Sequence, residues 1–314
     1  MINVIELAFA MIDLRGSMDE VIEELRKILA LVENPLEDDW DPFRVGILFA
    51  KLEYPDLDIA AQEKIFMTLV EEIAPKISRQ ASMREQSRVL IEAFSETLGF
   101  QGDKQNYYNI KNSFLNDVLL RRKGIPISLS LLFMGIARAV GLKALGISFP
   151  GHFLVRMVAS AGHFEMSSSI EVAEDWRQSW YVDCFDGGKV LTTKDCEQRL
   201  QEWTRGVVPF GPDALKVAHP TEILSRMLRN LRAIFMEKED FARLYWVQSA
   251  LIGLCPSDRV EAFRDRGLLF VRMGRFPQAA DDFRSFLAES KDIQKRAHVE
   301  QMLRLFENRV DSIN

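Results

Sequence analysis

Residues 124–141 read GIPISLSLLFMGIARAVG. Pro126 suits the first turn of a helix, where its missing N–H costs nothing, and Gly141 suits the position just past the end. Between them the chain is apolar on all sides, which predicts a buried helix over 126–140.

Downstream of Gly141, short runs rich in β-branched and aromatic residues predict strands over 144–149, 152–158, 163–167 and 180–184, with Asp186-Gly187-Gly188 as a turn. Upstream, a helix is expected over 113–121, and Asn112, Asn116 and Asp117 read as loop and cap residues. The basic run Arg121-Arg122-Lys123 reads as a solvated helix end favoured by the helix dipole.

Further toward the N-terminus the pattern is helical. Ser17-Met18-Asp19-Glu20 is a capping-box pattern ahead of Val21, Ile22, Leu25, Ile28, Leu29 and Val32. A second helix is expected over 59–73, ahead of Pro75. A third opens at Ser82 and stops at Gly99. Beyond Pro220 the chain is helical again and carries a weak repeat: Phe235 and Phe241 recur as Phe270 and Phe276. Gly267, Gly274, Ala279 and Phe283 occupy positions like the small and aromatic ones of a tetratricopeptide repeat, with Pro256 closing the first unit and 294–306 as a final helix. The fold class is therefore α+β in three parts: helices over 1–99, a mixed core over 100–212 with a small antiparallel sheet, and helical hairpins over 213–314.

The 314 residues carry a net charge of −6, which argues against a nucleic-acid binder that works by neutralising phosphate. Cys184, Cys196 and Cys255 include no CxxC pair, and His152, His163, His219 and His298 lack metal-ligand spacing, so neither a disulfide framework nor a metal site is expected. No cofactor motif is present. No apolar run has the length of a membrane span, and the first residues lack the basic start of a signal peptide, so the expectation is a soluble cytoplasmic protein.

Three stretches carry a family resemblance: Asn112-Ser113-Phe114-Leu115-Asn116-Asp117-Val118-Leu119, Arg122-Lys123-Gly124-Ile125-Pro126-Ile127-Ser128-Leu129 and Pro150-Gly151-His152-Phe153-Leu154-Val155-Arg156. Together they closely resemble the bacterial SirB-type family, which joins a variant transglutaminase-like, papain-like core to tetratricopeptide-like repeats. A similar core is attached to F-box proteins in animals. The resemblance implies the order of helix with nucleophile, histidine, aspartate. In active members a cysteine at a helix start, its pKa lowered by the dipole, gives its proton to a histidine that an aspartate orients. Such cores often read Gly-x-Cys at the helix start and Arg-x-x-Gly near its end. Gly124-Ile125-Pro126 and Arg138-Ala139-Val140-Gly141 overlay that pattern without a gap. The cysteine position falls on Pro126, while its partners resemble His152 and Asp183.

A serine could substitute. Ser128 is two positions on, so it faces roughly the opposite side of the helix from Pro126, and it could instead bond the helix start. Ser130 shares the face of Pro126 but sits about 6 Å deeper. Cys184 follows Asp183 directly, so strand alternation sends it to the other face of the sheet. His152 reads either as a packed strand-start histidine bonded to Asp183 or as part of a partner pocket. Trp180, Asn112 and Asn116 are the accompanying cleft candidates. Three functions follow: a non-catalytic scaffold or regulator that holds a protein or peptide in the old cleft, a serine-dependent hydrolase or acyltransferase using Ser128 or Ser130 with His152 and Asp183, and a structural adaptor acting through its repeats.

Overall fold

The computed structural model describes residues 18–35, 39–158 and 180–311. The described residues form two compact units, one within Ile28–Ile223 and a second of residues 18–27 and 224–311.

Ile28–Ile223 is organised around the apolar helix. Its first helices are α2 (Pro42–Lys51), α3 (Ile59–Ile73), α4 (Met83–Glu92) and α5 (Leu115–Arg121), α1 being the segment 18–30. α2 was not expected from the sequence. It starts where the Asp41 side chain accepts from the Arg44 N–H and Pro42 supplies the first turn. α4 opens at Ser82 as expected and ends in a π-helical turn over Ala93–Thr97, ahead of Gly99 at φ +71°. α6 (Pro126–Ala139) buries every residue from Pro126 to Ala137. Each fully buried Leu, Ile or Phe stabilises the fold by about 1.5–3 kcal/mol at most. Gly135 lets α2 approach, because a β-carbon there would stand 2.9 Å from that of Phe43.

The sheet is an antiparallel meander of β3 (Lys143–Ile147), β4 (Leu154–Val158), β5 (Trp180–Asp183) and β6 (Lys189–Thr192), in that order. β6 was not expected. A short parallel pair, β1 (Gln101–Gly102) with β2 (Lys123–Gly124), precedes α6. α6 packs on β3 and β4. α7 (Thr193–Thr204), also unexpected, covers the sheet face that carries Leu154, Tyr181 and Leu191, adding Cys196 and Leu200 to that core. The expected strand over 163–167 lies outside the described residues. The strand expected to begin at His152 begins at Leu154 instead. Gly151 adopts φ +75° and the His152 N–H closes a turn on the Phe149 carbonyl, so His152 belongs to the turn. The basic run is also not a solvated end. Arg121 donates to Asn112 and Asp103, and Arg122 turns the chain at φ +59° with its guanidinium over the Phe100 ring.

The second unit contains α8 (Pro220–Glu237) from Leu224 on, α9 (Phe241–Leu254), α10 (Pro256–Arg272), α11 (Phe276–Glu289) and α12 (Ile293–Asp311). The spacing of 35 between Phe235 and Phe270 has a backbone counterpart. Glu239 (φ +52°) and Gly274 (φ +70°) occupy the same place in the α8–α9 and α10–α11 turns. In each turn the next N–H closes on the phenylalanine carbonyl, Asp240 on Phe235 at 2.9 Å and Arg275 on Phe270 at 2.8 Å. This is the Schellman closure of a helix end. Gly267 faces Phe283, whose ring lies 2.6 Å from where a β-carbon would be. Pro256 opens α10 instead of closing the preceding unit. Residues 18–27 of α1 pack against α9: a β-carbon on Gly253 would stand 2.8 Å from Ile22, and Arg26 donates to the Gly253 carbonyl.

Candidate functional site: a His–Asp pair held by an arginine

The turn at Gly151 and the end of β5 bring His152 and Asp183 together. His152 Nε2 lies 2.9 Å from Asp183 Oδ1. The same oxygen accepts the backbone N–H groups of Phe185 and Asp186, both at 3.1 Å. The other oxygen, Oδ2, accepts from Arg199 Nη1 of α7 at 2.6 Å. Burial would raise the pKa of the carboxyl. The hydrogen bonds and charges of His152 and Arg199 outweigh it and hold Asp183 below the usual carboxylate range. As an acceptor-only carboxylate, Asp183 draws the proton of His152 onto Nε2. His152 Nδ1 has no hydrogen-bond partner among the described residues.

Aromatic rings flank the pair. Trp203 meets the imidazole edge-on at 5.4 Å between centroids and Phe185 meets it at 6.2 Å. Arg199, Trp203 and Phe185 escaped the reading of the sequence. The signal for the first two was present: Thr192 and Asp195 form a capping box, and Cys196, Arg199, Leu200 and Trp203 fall on one helical stripe. Trp180 is three residues before Asp183 on β5, so alternation sends it to the other sheet face. The tryptophan beside the histidine is Trp203.

Pro126 is buried at the first position of α6. Ser128 is fully buried: its hydroxyl accepts the Ile125 N–H at 3.1 Å and donates to the Asn112 carbonyl at 2.5 Å. It ties the helix start to the loop before α5. The Asn112 side chain, also fully buried, donates to the Asn106 carbonyl and accepts from Arg121. Asn116 is buried on α5. Ser130 is fully buried beside the Cys184 thiol. Burial pushes all three thiols up, Cys196 and Cys255 to about 12 and Cys184 further. Among the described residues no group of three or more His, Cys, Asp or Glu side chains is placed to hold a metal ion, and no helix is long and apolar enough to cross a membrane.

Residues 62–229 match the family model of the transglutaminase-like superfamily. The chain belongs to the transglutaminase-like superfamily. Residues 231–304 match a tetratricopeptide-repeat model, so the transglutaminase-like region is followed by repeats. Among relatives, a UPF0162 protein of Xylella fastidiosa (strain 9a5c) is 30% identical over 245 residues, which span 77% of this chain and 81% of that one. F-box only protein 21 of Homo sapiens is 30% identical over 186 residues, 58% of this chain and 27% of that protein. A crystal structure of menin aligns at TM-score 0.38 and 10% identity over 90% of this chain and 73% of that one, a likeness on which no functional argument rests. In this transglutaminase-like chain, histidine and aspartate stand together at the sheet end, and a proline opens the helix.

Proposed function

We propose that this chain is a non-catalytic, SirB-type transglutaminase-like scaffold of the bacterial cytoplasm that binds a protein or peptide partner. The observation that carries the reading is Pro126 at the first position of α6, where the family pattern overlays its cysteine. Proline has neither a nucleophile nor a backbone N–H, yet it suits the first helical turn, so it keeps the architecture without the chemistry. The burial of Ser128 and Ser130 supports the same reading. The Ser128 hydroxyl is engaged on both its donor and acceptor sides, which leaves it poorly placed to attack a carbonyl. Tetratricopeptide-like repeats commonly present a binding face, which supports a partner that is a protein. The three-part division at 99/100 and 212/213 belongs to this proposal.

The rival reading, a serine-dependent hydrolase or acyltransferase, draws on the His152–Asp183 pair alone. Transamidation, peptide hydrolysis and ester hydrolysis measured on the full chain separate the two. The scaffold reading expects no rate above that of His152→Ala. Wild-type hydrolysis that vanishes with Ser128→Ala or Ser130→Ala, in variants that keep the native circular dichroism spectrum, would overturn it.

A further inference from the structure

A cavity of about 420 Å³ lies between β1, the residue Lys123 of β2 and the β5–β6 turn, whose Phe185 also meets His152. Its wall is held in place. The Gly102 N–H donates to the Phe185 carbonyl, and a β-carbon on Gly102 would meet both that carbonyl and the Phe185 ring at 2.5 Å. Phe185 is therefore shared: its ring meets His152, and the residue also lines the cavity.

The carboxylates around this wall are already paired. Asp103 is taken by Arg121 at 3.1 Å, Asp183 by Arg199 at 2.6 Å and Asp186 by Lys104 at 2.7 Å. Lys123 also lines the cavity and makes no ion pair among the described residues. Each of these acids is thus already paired and Lys123 is left over, in a chain whose net charge is −6. Aromatic surface continues outward from the same wall. Tyr107 meets Phe185 at 5.8 Å, and Tyr108, 68% exposed, meets Tyr107 at 5.3 Å. Across the imidazole, Trp203 is 48% exposed. Exposed tyrosine and tryptophan beside an unpaired cation form a surface suited to an apolar, acidic ligand.

We infer that the partner presents an extended peptide segment in which a carboxylate side chain adjoins an aromatic one. The carboxylate pairs with Lys123 in the cavity, and the aromatic residue lies along Phe185 between Tyr107 and Trp203. This inference rests on the protein-binding reading above and names the chemistry of the partner. Burial of the aromatic residue supplies most of the affinity, and the lysine supplies the preference for an acid.

A random linear peptide library displayed on phage, selected on the immobilised full chain, tests it. Enriched sequences are then made as fluorescein-labelled peptides and titrated by anisotropy. Enriched peptides should carry Asp or Glu next to an aromatic residue. Lys123→Glu should weaken them about fivefold or more, since it replaces an attraction with a repulsion. The same peptide with its acid changed to Lys should regain affinity on Lys123→Glu. Trp203→Ala should weaken both peptides. Peptides that bind, weaken with Trp203→Ala and ignore Lys123→Glu would overturn the acidic preference and leave the protein-binding reading standing. Enrichment of no sequence over a bare surface would count against both.

Discussion

Arg199 Nη1 donates to Asp183 Oδ2 at 2.6 Å, across 16 residues of chain. The arginine leaves Asp183 Oδ1 to His152 and to two backbone N–H groups. The carboxylate is thus fully engaged and the imidazole is held by one nitrogen.

Asp183→Asn should destabilise the chain by about 3 kcal/mol. That is the low end of the range for removing one partner of a buried pair, because Arg199 keeps some contact with water. Urea unfolding by circular dichroism measures it. An unchanged midpoint would mean that Arg199 finds another partner.

The same carboxylate predicts an acid dependence. Its folded pKa lies below its unfolded value, so it contributes stability that is fully present above about pH 4. That contribution is lost as pH falls through the folded value. Wild type and Asp183→Asn should therefore converge in stability at the acid end of a pH series. A gap that stays constant down to the lowest workable pH would refute the assignment.

Ser128→Ala should cost about 1 kcal/mol. The Ile125 N–H and the Asn112 carbonyl both lose the hydroxyl and keep only their direct bond at 3.3 Å. Ser130→Ala removes a hydroxyl whose one polar contact among the described residues is the weakly bonding Cys184 thiol, and should change the urea midpoint less. The reverse ranking would show that the helix start does not depend on this cap.

Pro126→Cys tests the lost nucleophile. The native thiols are buried, with pKa values pushed to about 12 or above, so they are almost wholly protonated at neutral pH. A thiol at the first turn of α6 gains from the helix dipole, and the family pattern overlaid on Pro126 expects a further gain from His152. Iodoacetamide followed by peptide mass analysis should label position 126 ahead of the native cysteines, and adding His152→Ala should slow that labelling. Labelling that is equally fast with and without His152 would place the imidazole out of reach.

In the repeats, Gly267→Ala should cost about 1–3 kcal/mol, because the added β-carbon meets the ring of Phe283, which is fully buried and has no room to move. Ala279→Leu, at a residue equally buried on α11, should cost a similar amount. Urea midpoints and slopes measure both. An unchanged midpoint in Gly267→Ala would show that α10 and α11 are further apart.

Local chemistry made several features legible from the sequence alone. Pro126 and Gly141 bound α6 because proline and glycine have fixed backbone preferences. The 35-residue spacing of phenylalanines marked the helix pairs, because each pair needs the same turn. The family resemblance, laid over the order of elements along the chain, made His152 and Asp183 the candidates. Tertiary structure decided what depends on distant segments meeting. It placed Arg199 on Asp183, Trp203 beside His152 and the Ser128 hydroxyl on the Asn112 carbonyl. It also packed residues 18–27 onto α9, 227 positions away along the chain at the Arg26–Gly253 bond. No periodicity announces such pairings, since an amphipathic face shows that it will be covered and leaves open by what. Packing also decided what surrounds the serines. Sequence spacing places Ser128 on a helix face, and only the neighbouring loop determines that its hydroxyl is already bonded.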